Sequence, residues 1–197
     1  MEIKKVAVIG GGAAGFFAAI SVKENHPSYQ VILFEKTSKV LSKVRVSGGG
    51  RCNVTHDCSD IPTLCEAYPR GGKKLKSLFY QFSKSDTVDW FESRGIPLKT
   101  EIDGRMFPES NNSQSIIDCL ESEIARLKVT LKLGQTIEKI EQDGIGWKLN
   151  FKDQSNQKFD MVIIATGGSP KITGFDWLKN LGHNIIPPVP SLFTFNM

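Results

Sequence analysis

An α/β chain organised around a parallel sheet is the fold class that this sequence predicts, and three observations predict it. The β-branched run Lys5 to Ile9 meets Gly10-Gly11-Gly12 and then a helix-forming stretch, Ala13 to Val22. After a break at Asn25, His26 and Pro27, a second apolar run, Val31 to Glu35, completes a βαβ unit whose two strands must be parallel. Much later a third apolar run, Met161 to Ala165, again ends in a glycine turn, Thr166-Gly167-Gly168-Ser169-Pro170.

Between these strands the pattern changes several times. Residues 36 to 60 are rich in Gly, Ser and Lys without sustained periodicity, which predicts a long functional loop. Leu75 to Phe82 and Thr87 to Ser93 read as amphipathic helices, the second closed by Gly95 and Pro97. Leu98 to Phe107 reads as a hairpin turning at Asp103-Gly104, and Ser113 to Leu127 as a helix with Arg126 and Lys128 at its C-terminal end. Val129 to Phe159 breaks into short strands at Asp143-Gly144 and Asp153 to Asn156, a small antiparallel meander inserted before the third core strand. Past Gly182 the chain turns proline-rich, with Pro187, Pro188 and Pro190.

Length and composition narrow the class. With 197 residues, 40% hydrophobic and 23% charged, the chain has the composition of an ordinary globular protein, and one well-filled domain is the default. Its net charge of +4 is mild. The densest basic stretch, Arg70, Lys73, Lys74 and Lys76, reads as a solvated helix face, with RNA contact as the alternative. Cys52, Cys58, Cys65 and Cys119 form no CxxC pair and fit no zinc spacing, so no metal is expected. No signal segment or membrane-spanning run is present, and a reducing, cytoplasmic setting is the simplest inference.

The residues with chemistry to offer begin at Gly10-x-Gly12-x-x-Gly15. That fingerprint follows a strand, opens a helix and is answered by Glu35, twenty residues after its last glycine. Gly10 permits the tight turn, Gly12 lets a diphosphate approach the backbone, and Gly15 lets helix and strand pack closely. The free amides of Gly11, Gly12, Ala13 and Ala14 then face the anion at a helix N-terminus. Glu35 can accept hydrogen bonds from both ribose hydroxyls of an adenosine and would repel a 2′-phosphate, which disfavours NADP at this position. In Ser47-Gly48-Gly49-Gly50-Arg51-Cys52-Asn53, adjacent glycines expose successive amides and Arg51 adds a positive charge, a surface suited to phosphate or to a reduced flavin. A surface turn is the plain alternative. Cys52 is read as a packing residue, with a redox thiol as the second reading. Ala165-Thr166-Gly167-Gly168 offers another close backbone approach if its strand lies beside the first. His26, His56 and His183 lie far apart and suggest no triad.

Together, VIGGGAAGFFAA, VILFE, KVRVSGGGRCNVTH, GRMFPES, VIIATGGSP and NIIPPVPSLFTF resemble the BaiN-like (YhiN-type) family of FAD-dependent oxidoreductases over nearly the whole chain. SGGGRCNVT is the most specific of these pieces. The resemblance implies a Rossmann-like FAD-binding domain of the two-dinucleotide-binding type, with FAD rather than NAD at the first glycine site. It implies cofactor contacts from Gly10 to Gly15, Glu35, Lys36, Lys43, Ser47 to Asn53 and Ala165 to Gly168, and it puts Ile137 of the meander near the adenine. It names no catalytic residue. Similar proteins are about twice as long. By that comparison residues 1 to 190 form the N-terminal, incomplete part of the FAD-binding domain, and 191 to 197 begin an inserted substrate domain.

Three functions follow. The first is NAD(P)H-driven reduction of an activated carbon-carbon double bond in a small molecule through FAD. The second is reduction of uridine to dihydrouridine in ribosomal RNA. The third is a non-catalytic nucleotide-binding module.

Overall fold

The computed structural model describes residues 3–58, 60–68, 70–169 and 172–189, so residues 190 to 197, with the expected start of a substrate domain, lie outside it. The first elements are β1 (Lys5–Ile9), α1 (Ala13–Asn25), β2 (Gln30–Phe34), α2 (Ser42–Gly50), β3 (Thr55–His56), α3 (Ile61–Glu66), α4 (Gly72–Phe79) and α5 (Lys84–Glu92). There follow β4 (Leu98–Thr100), β5 (Arg105–Pro108), α6 (Ser113–Arg126), β6 (Thr130–Lys132), β7 (Ile137–Asp143), β8 (Gly146–Phe151), β9 (Asn156–Phe159) and β10 (Met161–Ile164). A 3₁₀ turn, Ile172–Phe175, leads into α7 (Asp176–Asn180). These elements fall into two compact units, one from residues 1–40 and 127–197, the other from 41–126.

The first unit carries a four-stranded sheet in the order β10-β1-β2-β6, parallel throughout. β1 is a central strand and reads as one: Val6, Ala7, Val8 and Ile9 are all buried, as a strand covered on both faces requires. Its register sets Ile9 beside Phe34 and Ile164. The turns after β1, β2 and β10 therefore leave the sheet at the same edge, where ligands of open parallel sheets gather. α1 buries Gly15, Phe16, Ala19 and Ile20, a stripe at helical spacing. β7, β8 and β9 form a separate antiparallel meander. Ile140, Leu149, Phe151 and Phe159 of the meander share one apolar cluster with Ala7, Ile9 and Phe34 of the sheet.

The second unit pairs β3 and β4 on either side of β5. α6 buries Ile116, Ile117, Leu120 and Ile124, the apolar stripe that its periodicity predicts. α5 opens on a capping box: Ser83 Oγ accepts from the Ser85 amide at 3.2 Å, and the Asp86 carboxylate accepts from the Ser83 amide at 2.7 Å. Ser83→Ala should therefore cost about 1 kcal/mol in a urea titration, with no change in nucleotide binding.

Several expectations need correction. The loop expected over residues 36 to 60 contains α2 and the short strand β3. α2 escapes periodicity analysis because Val44 is its one buried residue and its helical geometry breaks at Ser47, Gly48 and Gly49. It is held instead by α6, whose Ser113 hydroxyl donates to Arg45 O at 2.8 Å. α3 was not anticipated, although Asp60 caps it by accepting from the Thr63 amide at 2.8 Å. The two helices expected to begin at Leu75 and Thr87 begin three residues earlier, at Gly72 and Lys84. β6, assigned from sequence to the meander, belongs to the parallel sheet beside β2. The 3₁₀ turn and α7 fall where the sequence reading assigned no element.

Candidate functional site

The site in the first unit is built where β1 and β2 end. Gly10 adopts φ +116°, a conformation that L residues avoid, and its amide donates to Phe34 O at 2.8 Å. A Cβ there would collide with the Ala165 carbonyl, and a Cβ at Gly15 would collide with that of Gly10. These two glycines therefore serve close packing. Gly12 differs, because its Cβ position has no atom within 4 Å, and Gly12, Ala13 and Ala14 are exposed. Gly12 is the N-cap of α1, no side chain caps the helix, and no acid lies in its first turn. The amides at this end face solvent beside the positive end of the helix dipole.

Glu35 follows β2 directly, with its amide donating to Lys132 O of β6 at 2.9 Å. One carboxylate oxygen accepts from the Gly11 amide at 2.8 Å, while the other accepts from the Thr37 amide at 2.8 Å and the Thr37 hydroxyl at 2.9 Å. Partial burial pushes its pKa up, but the Thr37 and Gly11 amides, the Thr37 hydroxyl and the Lys36 charge outweigh it, so the net shift is downward. The carboxylate is thus ionised at neutral pH and fixed on the glycine turn. The oxygen that faces Gly11 keeps accepting capacity for a further donor, while Thr37 occupies both lone pairs of the other.

A cleft of about 440 Å³ opens beside it. Gly10, Glu35, Lys36, Ile137, Thr166, Gly167 and Gly168 line it together. These were separately marked in the sequence. Ala165 adjoins them, its amide donating to Ile9 O at 2.8 Å. Gln135, Thr136, Phe175 and Trp177 also line the cleft and were missed by sequence reasoning. A signal was present for the last two, since the aromatic residues of Phe175-Asp176-Trp177 follow the third glycine turn closely. Gly11, Gly12, Ala13, Ala14 and Gly15 do not line the cleft; they form the turn and helix start described above.

Lys43 and Ser47 to Asn53 belong to the second unit. Lys43 is exposed on α2, and Gly48, Gly49 and Gly50 take φ of 56°, 68° and 86°. The glycine turn packs on β5, since a Cβ at Gly48 would lie 2.7 Å from the Phe107 ring. The Asn53 side-chain NH₂, in the orientation that satisfies both partners, donates to Thr55 O at 2.9 Å and Met106 O at 3.2 Å. Arg51 is less open than the sequence implied: its guanidinium pairs with Glu101 at 2.5 Å and lies 4.0 Å from the centre of the Phe107 ring. Cys52 is buried, and burial pushes its thiol pKa up against the opposing effect of a hydrogen bond with Ser47, the reverse of a reactive thiolate. The packing reading of Cys52 is the better one. Among the described residues no cluster of His, Cys, Asp and Glu could hold a metal, and no helix is long and apolar enough to cross a membrane.

Comparison with known proteins finds relatives of this chain. The chain is similar to the 3-dehydro-bile acid delta(4,6)-reductase of Clostridium scindens, 28% identical over 96% of this chain and 47% of that protein. It is similar to the ribosomal RNA dihydrouridine synthase of Escherichia coli, 27% identical over all of this chain and 49% of that one. It thus spans about half the length of these relatives. Among solved structures, the open conformation of a flavocytochrome c3 fumarate reductase superposes with a TM-score of 0.60 at 23% identity, over 85% of this chain and 34% of that one, which supports the fold. Residues 4–190 match the HI0933-like protein Rossmann domain, and the resemblance read from the sequence motifs is borne out: the chain belongs to that family.

Proposed function

We propose that the first unit binds the adenosine diphosphate portion of FAD and that the protein is an FAD-dependent oxidoreductase. The observation that carries this is the Glu35 carboxylate held 2.8 Å from the Gly11 amide at the mouth of the cleft. There its Gly11-facing oxygen can accept from a ribose hydroxyl while the exposed amides from Gly12 to Ala14 receive the diphosphate. The residues present fit such a group: the carboxylate is ionised, the space beyond Gly12 is open, and the cleft beside Glu35 has room for a nucleoside. Thr166 to Gly168 and Ile137 would line the same nucleoside. In the second unit, the exposed Lys43 ammonium and the turn from Ser47 to Gly50 would face an anionic group, whereas the Cys52 amide already donates to Ser47 O at 3.0 Å. When bound, FAD would supply hydride transfer. NAD(P)H is the electron donor in this reading, and the name of the bile acid reductase relative supports an activated carbon-carbon double bond in a small molecule as the acceptor. Residues 1–190 are then an FAD-binding segment, in the cytoplasmic setting that free cysteines suit.

Titration of the purified protein with FAD tests this. Glu35→Ala should weaken affinity by about 1 to 3 kcal/mol, the range for lost charged hydrogen bonds, and unchanged affinity would refute the ribose role. The pH dependence has a definite sign. The folded-state pKa of Glu35 lies below the unfolded value, so its contribution to stability is fully present above the ordinary glutamate value of about 4.3 and is lost as pH falls through the folded value. FAD affinity should accordingly be flat from neutrality down to about pH 5, whereas Glu35→Gln removes the acid limb attributable to this group. A protein that binds ADP but takes up no flavin would be a nucleotide-binding module instead.

A second reading, RNA as substrate, is favoured by one observation. The chain's 25 Lys and Arg exceed its 21 Asp and Glu by four, and residues 67–83 hold four cations and no acid. On α4 Lys73, Lys74 and Lys76 are exposed, with Tyr80 65% exposed just after it. Cations beside an exposed ring suit a single-stranded nucleic acid. Dihydrouridine lost from ribosomal RNA in a deletion strain would support this reading over the small-molecule one.

A further inference from the structure

We propose that Trp177, supported by Phe175, forms the base-recognising wall of the cleft, so that the site selects a purine nucleotide over other anions. The inference rests on the adenosine reading above and goes beyond it by assigning base recognition to a segment outside both glycine turns. A carboxylate that grips ribose hydroxyls and amides that receive a diphosphate are indifferent to the base. Selectivity needs a further surface, and Phe175 and Trp177 are the aromatic side chains from the 3₁₀ turn and α7 that line the cleft.

Three features hold this wall in place. The Trp177 indole N-H donates to Gly174 O at 3.0 Å, so its polar edge is satisfied locally and the ring offers faces rather than a donor. Trp177 and Leu181 pack against the apolar cluster that joins the meander to the sheet, which seats α7 on the core. Gly174 closes on the turn after β10, where a Cβ would collide with the Ser169 side chain. The turn that carries the aromatic pair is thereby drawn onto the Thr166 to Ser169 turn, beside the residues proposed to line the nucleoside. A half-buried indole held in this way loses little freedom when a flat ring stacks on it.

Calorimetric titration of the full chain with ADP and with inorganic pyrophosphate, together with tryptophan emission, tests the assignment. Trp177→Ala should weaken ADP about 5- to 100-fold, the range for losing one stacked base, and leave pyrophosphate binding unchanged. Trp177→Phe should keep ADP affinity within about threefold yet abolish most of the ADP-dependent quenching of emission, because Trp90 and Trp147 do not line the cleft. If Glu35→Ala weakens ADP but Trp177→Ala does not, the wall is wrong and the adenosine reading survives. If neither variant weakens ADP, or the unmodified protein binds none, the adenosine reading fails and takes the wall with it. Should Trp177→Ala not fold, quenching decides: a full ADP-dependent quench retained in Trp177→Phe overturns the proposal.

Discussion

Gly15→Ala is expected to destabilise the protein by about 3 kcal/mol or more, at the upper end for overpacking and large for a single methyl group. The added Cβ would collide with the Gly10 carbonyl oxygen and lie 3.0 Å from its carbon. Neither side can yield cheaply. Gly10 is fixed by its amide's hydrogen bond to Phe34 O and by its own close approach to Ala165, while Gly15 sits on the buried stripe of α1 with Leu33 Cδ1 3.3 Å from the Cβ position. Relief would require α1 to lift off the sheet, exposing Phe16, Ala19 and Ile20. The measurement is thermal or urea unfolding, where a loss of this size corresponds to about 6 to 12 °C for a chain of this length. Gly12→Ala is the control. Its Cβ points into open space from an ordinary φ of −92°, so the cost should stay near the margin of about 1 kcal/mol by which alanine is a poorer N-cap than glycine. The same methyl group would stand where a diphosphate approaches and should weaken FAD binding. If Gly15→Ala unfolds with the midpoint of the unmodified protein, the packing account of the glycine fingerprint is wrong.

The contrast between Gly12 and Gly15, three residues apart in one motif, bears on what could be read from sequence. Gly10, Gly12, Gly15 and Glu35 form a local constellation: strand, turn, helix and strand follow one another within 35 residues, and the chain's stereochemistry leaves little choice about where the carboxylate ends up. The βαβ unit was therefore legible, as was the strand ending before Ala165. What was not legible depends on contacts between distant segments. β6 is three residues long, Thr130, Leu131 and Lys132, with no fully buried side chain, so nothing local distinguishes a parallel partner of β2 from the first strand of a meander. α2 offers one buried residue and a break, and its anchor is Ser113 on α6, far along the chain. The Arg51 charge looked available because its partner, Glu101, lies fifty residues away. The aromatic side of the cleft was missed for a similar reason: Trp177 acquires its meaning from Ile137, Glu35 and Gly167, which share the cleft with it only after folding.

Phe34→Ala should cost about 3 to 5 kcal/mol, the usual range for truncating a fully buried phenylalanine. Phe34 is 1% exposed at the end of β2, with ring centroids 5.3 Å from Phe151 in a tilted arrangement and 5.8 Å from Phe159 edge to face. Those partners lie on β8 and β9, so one side chain from the parallel sheet ties down two strands of the meander. Removing the ring leaves a void that Phe151 and Phe159 cannot fill, since each is a member of an antiparallel ladder whose register is already set. Phe34→Leu, which keeps most of the volume, should cost less than about 1.5 kcal/mol. A second consequence distinguishes this site from an ordinary core position. Phe34 also lines the cleft, one residue before Glu35, so the truncation opens the cleft's floor as well as the core. FAD or ADP affinity should fall together with stability in Phe34→Ala. Truncation of Leu149, which is fully buried in the same cluster but does not line the cleft, should lower stability while leaving nucleotide affinity much closer to that of the unmodified protein. Urea unfolding and ADP titration of the two variants side by side would decide it. Equal losses of affinity would mean that the meander as a whole, rather than the end of β2, sets the shape of the nucleotide site.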